Sequence, residues 1–391
     1  MKKRLLAVQG PLQFITGYIA FDWYGLREGE AADSQNVLLL YDFLCAPEVE
    51  PGIADSIRAL SRVATWSDIV FISGAEMVEL AKGSYSASMA RLRERVGHAH
   101  FDEIFLARDH VGDGSPLLMN AYSDATKLAY GDSFGLVGQQ NSFPSSDHRS
   151  RLRSAASALK RTVRRAVYGE AAQIPFDAAV LTLPLDMSGT YLSTVPLVVP
   201  AKRHAVDTVR GLNRLLPGLR TYTQSLIAQG SGPKDHLFLL SNLSASGLTS
   251  LEGEIALYVE IVEHTVPRGS TVFVKHHPRS SHQVLDAVVD RLAPHYRIVV
   301  LDDADMSRMP IEIWTDLIDH CMVVPMFSTS AINLKYLFGK DVLLPLNEDR
   351  IRRHFLPDKA DYARSVERMI RESIDNLDGW DGRSALWARS A

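Results

Sequence analysis

Short apolar runs rich in branched side chains recur along this 391-residue chain, with amphipathic segments between them. Strands that are apolar throughout are typical of sheets covered by helices on both faces, so the alternation predicts parallel α/β sheets. The series pauses after about residue 185, in a stretch rich in Pro, Gly and polar residues, and restarts at Leu237. The predicted strands are residues 5–8, 37–41, 69–72, 103–107, 178–183, 237–240, 271–274, 298–301, 322–324 and 342–344.

The length is a little over two and a half times the ~150 residues of a typical domain, which favours two domains. We expect two doubly wound domains, residues 1–232 and 233–391, the second with C-terminal helices that return toward the first. Such sheets bind ligands at the carboxyl ends of their strands, and a cleft between two domains is a favoured place. Side chains directly after strands are therefore the first candidates for function.

Composition excludes several classes of protein. Lys and Arg total 42 against 46 Asp and Glu, and the formal charge of −4 argues against a nucleic-acid binder dominated by phosphate contacts. The two cysteines, Cys45 and Cys321, belong to no C-x-x-C pair, which fits a reducing cytosol and argues against a disulfide scaffold or a cysteine-based zinc site. No window reaches the roughly 18 apolar residues needed to span a bilayer, so we expect a soluble or peripheral protein.

The strongest local signal is the segment 271–278, TVFVKHHP. A buried strand ends in Lys275, His276 and His277, and Pro278 prevents the strand from continuing. An imidazolium can donate to a phosphate, and Lys supplies a point charge or a donor. The alternative is that these polar residues only mark a strand leaving the core.

A second signal follows the run at 322–324. Ser328, Thr329 and Ser330 precede a helical pattern, which places hydroxyl donors at the positive end of a helix dipole, where anions bind. Ser and Thr are also ordinary N-caps. Glu312 lies between the two signals and could cap a helix or accept from the vicinal hydroxyls of a ribose.

The third signal, YGDSFG at residues 130–135, holds Asp132 between Gly131 and Gly135. Glycines on both sides suit a loop whose backbone approaches a ligand closely. A single Asp in a Gly-rich turn can equally be a turn residue.

Taken together, these segments resemble bacterial sialyltransferases and the related polysialyltransferase-type capsule enzymes. The resemblance lies in a Lys-x-His-Pro sequence after a strand, a downstream Pro-x-Glu and a Ser/Thr pair that opens a helix. The N-terminal segment 9–13, QGPLQ, resembles the first strand and loop of those enzymes, and segment 130–135 resembles their acidic-glycine motif, although here Gly precedes a single Asp. The family implies a GT-B fold, two Rossmann-like domains facing across a cleft, and a CMP-activated nonulosonic acid as donor.

The resemblance also implies residue roles. Asp132 would be the general base that deprotonates the acceptor hydroxyl, and His277 would donate to the leaving phosphate. Lys275 would contact the cytosine or the phosphate, Glu312 the ribose hydroxyls, and Ser328, Thr329 or Ser330 the phosphate oxygens. The substrate-binding set as a whole is Gln13, Gly131, Gly135, Lys275, His276, Pro278, Glu312, Ser328, Thr329 and Ser330.

The predicted chemistry needs neither a cofactor nor a metal ion, because the donor carries a single phosphodiester and no pyrophosphate, and an imidazolium and a helix N-terminus can stabilise the charge that develops on the leaving CMP. The sequence shows no Asp-x-Asp motif and no convincing metal-ligand spacing. Direct displacement assisted by one base implies inversion at the anomeric carbon.

Residues 148–168 form a basic amphipathic pattern with seven cations and no acid. Such a helix can lie on anionic lipid or collect an anionic glycan, or it can be a solvated face packed on the sheet. The resulting expectation is a cytoplasmic protein, with the inner face of the plasma membrane as a place of contact.

Two further readings of the whole chain stay open. The architecture also suits a GT-B enzyme with another donor, such as CMP-Kdo or a UDP-sugar, or a nucleotide-sugar epimerase. A third class is a non-catalytic subunit of a polysaccharide-assembly complex, in which the motifs are only structural caps.

Overall fold

The computed structural model describes residues 1–27, 29, 34–41, 43, 47–107, 114–131, 175–185, 187, 191–232, 235–277 and 282–378. Four sequence predictions lie outside these ranges: Asp132, Gly135, Pro278 and the basic segment 148–168. The chain divides into two compact units, Met1–Pro200 and Ala201–Ala391. Each unit is built on its own fully parallel sheet, and no described helix is long and apolar enough to cross a membrane.

The first unit contains a seven-stranded sheet in the order β3-β2-β1-β4-β5-β6-β7. Leu5, Leu6, Ala7 and Val8 of β1 are all buried, as expected for a central strand covered on both faces. The strands are β1 Lys2–Val8, β2 Ser34–Tyr41, β3 Asp68–Ile72, β4 Glu103–Leu106, β5 Thr126–Gly131, β6 Ala178–Leu181 and β7 Leu197–Val198; the helices are α1 Pro11–Arg27, α2 Glu50–Ser61, α3 Gly74–Leu80, α4 Tyr85–Val96 and α5 Gly114–Ala121.

The second unit contains a four-stranded sheet in the order β10-β9-β8-β11. The strands are β8 His236–Leu239, β9 Thr271–Lys275, β10 Arg297–Val300 and β11 Met322–Pro325. The helices are α6 Lys202–Arg214, α7 Pro217–Ile227, α8 Leu251–Thr265, α9 His282–Leu292, α10 Thr315–His320, α11 Ser330–Phe338, α12 Glu348–His354 and α13 Ala360–Asp378. Phe238, Val272 and Val274 lie in its core with the apolar faces of α8 and α9.

The expected α/β class with two Rossmann-like units is confirmed by these two parallel sheets. The run at 342–344 forms no strand: Val342 makes one isolated parallel bridge to Val323. Strands β5 and β7 are additions to the predicted series.

Residues 201–232, which the sequence places in the first domain, belong to the second compact unit. Their contacts give the reason. The side-chain amide of Asn213 in α6 donates a hydrogen bond to the Ile313 carbonyl at 2.7 Å. The Tyr222 ring in α7 lies 6.0 Å from the Trp314 ring. Helices α6 and α7 thus pack against residues 313 and 314 of the second unit.

Both sheets reverse their strand order at one point, between β1 and β4 in the first and between β8 and β11 in the second. The connections on the two sides of such a point run to opposite faces of the sheet and open a crevice at the carboxyl edge of the strands. The fold therefore predicts a ligand site in the second unit beside the ends of β8 and β11.

Candidate functional site

The strand register places the two main sequence signals of the second unit at one edge of its sheet. Leu239 at the end of β8 pairs with Lys275 of β9 on one side and with Pro325 of β11 on the other. Since neighbouring strands lie about 4.8 Å apart, the backbones at Lys275 and Pro325 are about 10 Å apart. His277 follows Lys275 by two residues and Ser328 follows Pro325 by three, so both continue from this edge.

Lys275 points into the protein. The side chain is 6% exposed, and Nζ donates a hydrogen bond to the Ser307 carbonyl. Burial lowers the pKa of Lys275 to about 8, and the negative charge of Glu312 opposes that lowering. The ammonium group is thus anchored on the chain itself.

The two histidines that follow are both half-buried. Burial, assisted by the charges of Lys275 and His282, lowers the pKa of His276 to about 4. The His276 ring lies 5.0 Å from that of His282, and among the described residues its Nδ1 has no hydrogen-bond partner. His276 is therefore neutral at pH 7 and can present an imidazole nitrogen, but not a cation.

The segment between β11 and α11 forms the second side of the site. Phe327 has a φ of 48°, a left-handed conformation that residues other than Gly rarely adopt. This turn brings Ser328, Thr329 and Ser330 to the start of α11. Ser328 Oγ accepts a hydrogen bond from the backbone amide of Ser330 at 3.2 Å. Thr329 is the N-cap residue of α11, and its side chain makes no capping hydrogen bond.

Glu312 connects the two sides. It lies in a 3-10 turn at Ile311–Ile313 and is 2% exposed. Its Oε1 accepts hydrogen bonds from Ser330 Oγ at 3.2 Å and from the side-chain amide of Asn333 at 3.0 Å. Three predicted residues, Lys275, Glu312 and Ser330, are therefore brought together by electrostatics and hydrogen bonding. A direct contact of Glu312 with a ribose stays a prediction.

Sequence reasoning missed Asn333 and the loop after β8, residues 241–244. Buried Glu254 holds that loop: its Oε1 accepts from the Leu243 amide at 3.0 Å and its Oε2 from the Ser244 amide at 2.8 Å. The Ser241 hydroxyl donates to the Met326 carbonyl, which ties the loop to the end of β11. The signal was present, because polar Ser241 follows an apolar run as Lys275 does.

In the first unit, two predicted residues lie at carboxyl ends of strands. Gln13 is in the first turn of α1, directly after β1, and its Oε1 accepts from the Gln9 amide at 2.8 Å. Gly131 ends β5 with a φ of 152°, and its carbonyl accepts from the Thr182 amide at 2.9 Å. Strand β4 lies between these two strands, so the geometry places both residues on one edge without joining them.

Residues 215–344 match the family model described as alpha-2,8-polysialyltransferase (POLYST). The matched segment contains β8 to β11, Lys275, His277, Glu312 and the hydroxyl residues at the start of α11. The resemblance to sialyltransferase-like glycosyltransferases is confirmed. No curated protein sequence matches the chain.

Solved structures with low sequence identity align with most of this chain. A candidate UDP-N-acetylglucosamine 2-epimerase from Listeria monocytogenes has a TM-score of 0.50 at 12% identity over 97% of this chain and 89% of that one, which shows the fold alone. The GT-B domain of the Photobacterium damselae sialyltransferase aligns with a TM-score of 0.47 at 11% identity, over 94% and 97% of the two chains. The UDP-GlcNAc 2-epimerase of Neisseria meningitidis gives 0.48 at 11%, over 98% and 95%.

Proposed function

We propose that this sialyltransferase-like protein is an inverting, metal-independent glycosyltransferase that moves a sialic acid or related nonulosonic acid from a CMP donor to a glycan acceptor. The observation that carries the proposal is the strand register, in which Lys275 of β9 and Pro325 of β11 both pair with Leu239 of β8. Because both strands end beside the switch point, His277 and the hydroxyl residues at the start of α11 follow the same edge of the sheet, which supports a site for a single phosphate there. The polysialyltransferase match over 215–344 supports the choice of donor.

In this mechanism His277, in its protonated form, donates to the phosphate of CMP as the bond to the sugar breaks. Hydroxyls at the start of α11 stabilise the same developing charge, an arrangement that needs no reorganisation during the reaction. Asp132 removes the proton from the acceptor hydroxyl as that oxygen attacks the anomeric carbon. Attack and departure on opposite faces of the sugar invert the configuration.

Calorimetric titration with CMP, CDP and UDP tests the donor class. We expect CMP to bind and UDP to bind far more weakly. Tight binding of UDP without binding of CMP would overturn the proposal in favour of another GT-B activity. Absence of binding for all three would favour a non-catalytic subunit.

Mass spectrometry of glycan products tests the reaction itself. The chain is incubated with CMP-Neu5Ac, CMP-Kdo or CMP-legionaminic acid and a panel of glycan acceptors. Transfer from a nonulosonic acid donor is expected, with unchanged rates in EDTA. Transfer from CMP-Kdo alone, or loss of the activity in EDTA, would contradict the proposed donor or the metal independence.

The proposal extends to a cytoplasmic place of action and to contact of segment 148–168 with anionic lipid. Neutralising Arg161, Arg164 and Arg165 together should weaken sedimentation with vesicles containing anionic phospholipid. A matched triple substitution at Arg203, Arg210 and Arg214 of α6 is the control. Unchanged sedimentation would leave the segment as a solvated face.

A further inference from the structure

The loop after β8 leaves the second sheet in the middle of its carboxyl edge. Strand β8 lies between β9 and β11, so this loop starts between the segments that carry His277 and Ser328. Asn242 stands three residues after Leu239, the last residue of β8, and is half-buried. Asn242 therefore lies on the central loop of the edge at which the phosphate site is proposed.

Helix α8 holds the backbone on both sides of Asn242. The Tyr258 hydroxyl accepts a hydrogen bond from the backbone amide that precedes Asn242 at 3.0 Å. The Glu254 carboxylate accepts from the two backbone amides that follow it, at 3.0 and 2.8 Å. Glu254 is 1% exposed and Tyr258 is fully buried, and their side-chain oxygens lie 2.8 Å apart. These bonds fix the loop without engaging the Asn242 side chain.

Counting side-chain protons shows which group of the loop is left for a ligand. A serine hydroxyl has one proton, which Ser241 donates to the Met326 carbonyl and Ser244 donates to Glu254. The side-chain amide of Asn242 has two N–H donors and makes no hydrogen bond to the described part of the chain. In segment 241–244 the Asn242 amide is thus the side-chain donor that a ligand can use.

The proposed donor offers a matching acceptor. In a nonulosonic acid the anomeric carbon carries a carboxylate as well as the bond to the phosphate oxygen, so the two anionic groups are neighbours. His277 is assigned to the phosphate, and the Lys275 ammonium donates to the Ser307 carbonyl. The carboxylate therefore needs another donor beside the phosphate, and a carboxylate accepts readily from amide N–H groups.

We propose that the side-chain amide of Asn242 binds the carboxylate on the anomeric carbon of the donor, and that Glu254 and Tyr258 are positioning residues that hold the loop for this contact. The inference rests on the proposed function, to which it adds a residue that distinguishes keto-acid donors from aldose donors. An aldose has a hydrogen atom in place of the carboxylate and gains nothing from this amide.

The contact is tested by calorimetric titration with the non-transferable donor CMP-3-fluoro-Neu5Ac and with its C1 methyl ester, which lacks the negative charge. Asn242→Ala should lower the preference for the acid over the ester by about tenfold or more, the equivalent of a hydrogen bond to a charged group. Its affinity for CMP should stay within about twofold of wild type, because CMP has no carboxylate. Ser246→Ala, an exposed residue of the same loop, is the matched control. A wild-type preference in Asn242→Ala would overturn the contact.

The positioning role is tested with the same two ligands. Glu254→Gln and Tyr258→Phe should each lower the preference for the acid, and neither should lower it further in the Asn242→Ala background, because both act through that amide. An undiminished effect in that background, or no effect of either single variant, would overturn the positioning role. Tyr258→Phe removes only one hydroxyl and keeps the test decisive where Glu254→Gln does not fold.

The wild-type chain separates this inference from the proposed function. A chain that binds neither CMP nor CMP-3-fluoro-Neu5Ac would refute the proposed function and the carboxylate contact with it. A chain that binds both, and whose preference for the acid survives in Asn242→Ala, would refute the contact alone and leave the proposed function standing.

Discussion

The two adjacent histidines after β9 show how neighbouring side chains acquire different chemistry. His276 has a pKa near 4, because burial and the charges of Lys275 and His282 disfavour its protonated form. It titrates far below neutral pH and is unsuited to donate a proton there. His277 is therefore the residue to which we assign the leaving phosphate.

We expect His277→Ala to lower kcat by about 10²–10³-fold, the usual loss when one donor to a developing charge is removed. Initial rates with a CMP-sugar and calorimetric Kd values for CMP separate turnover from binding. His295→Ala, an exposed histidine in the same unit, is the matched control. A near-normal kcat for His277→Ala would assign the proton donor elsewhere.

Phe327 pairs a constrained backbone with aromatic packing. Its φ of 48° is a conformation that costs about 1–2 kcal/mol for a residue with a Cβ, and its ring lies 5.9 Å from that of Phe355. β-branched residues tolerate this conformation least. Phe327→Val should therefore lower Tm more than Phe327→Leu in thermal denaturation, and equal losses would show that packing alone decides.

At the scale of elements, ion pairs join helices that the apolar pattern alone leaves loosely specified. Glu260 in α8 accepts from Arg350 Nε at 2.9 Å, from Arg353 at 2.7 and 2.8 Å, and contacts His354 Nε2 at 2.9 Å. Three residues of α12 thus converge on one carboxylate. The hydrogen bonds from these three partners hold the pKa of Glu260 at about 2 despite partial burial.

Because the folded-state pKa of Glu260 is depressed, its contribution to stability is present above the unfolded value of ~4.3 and is lost as pH falls toward 2. We expect Glu260→Gln to destabilise the protein by about 1.5–3 kcal/mol at pH 7 and by much less at pH 2–3. Denaturant titration at both values measures this. Glu263→Gln, exposed on the same helix, is the control, and a pH-independent loss for Glu260→Gln would contradict the assignment.

The elements that could be predicted from sequence are those whose signal is local. The runs that form β1, β2, β8 and β9 are buried on both faces, so their composition alone identifies them. Side-chain contacts between distant segments are not encoded that way. Asn213 contacts Ile313, 100 residues further along the chain, and Tyr222 contacts Asp302 and Trp314, 80 and 92 residues further along. No local pattern reveals these contacts, which is why the boundary expected after residue 232 differs from that of the compact units.

The same reasoning applies to the candidate site. Strand ends located Lys275, His277 and Ser328, because polar residues after apolar runs are visible in one dimension. Asn333 is buried within the helix that follows, and its partner Glu312 lies 21 residues earlier. A contact between two polar residues that the chain buries together has no local pattern.

At the scale of the whole molecule, nucleotide binding should be confined to one compact unit. We expect CMP to slow amide hydrogen exchange in peptides that cover residues 241–244, 275–277 and 326–332, measured on the intact chain by mass spectrometry. Peptides from α12 serve as an internal reference in the same unit. Protection limited to residues 1–200 would place the nucleotide in the first unit and contradict the proposed site.

In the first unit, helix α1 packs very closely against strand β5 at Gly17. A Cβ on Gly17 would lie 2.8 Å from the ring of Tyr130, whose hydroxyl donates to the Ala7 carbonyl at 2.7 Å. Positions 17 and 130 therefore share one fixed volume. Related sequences should show this as covariation: wherever a larger residue replaces the glycine, a smaller one should replace the tyrosine, and single replacement of either should be rare.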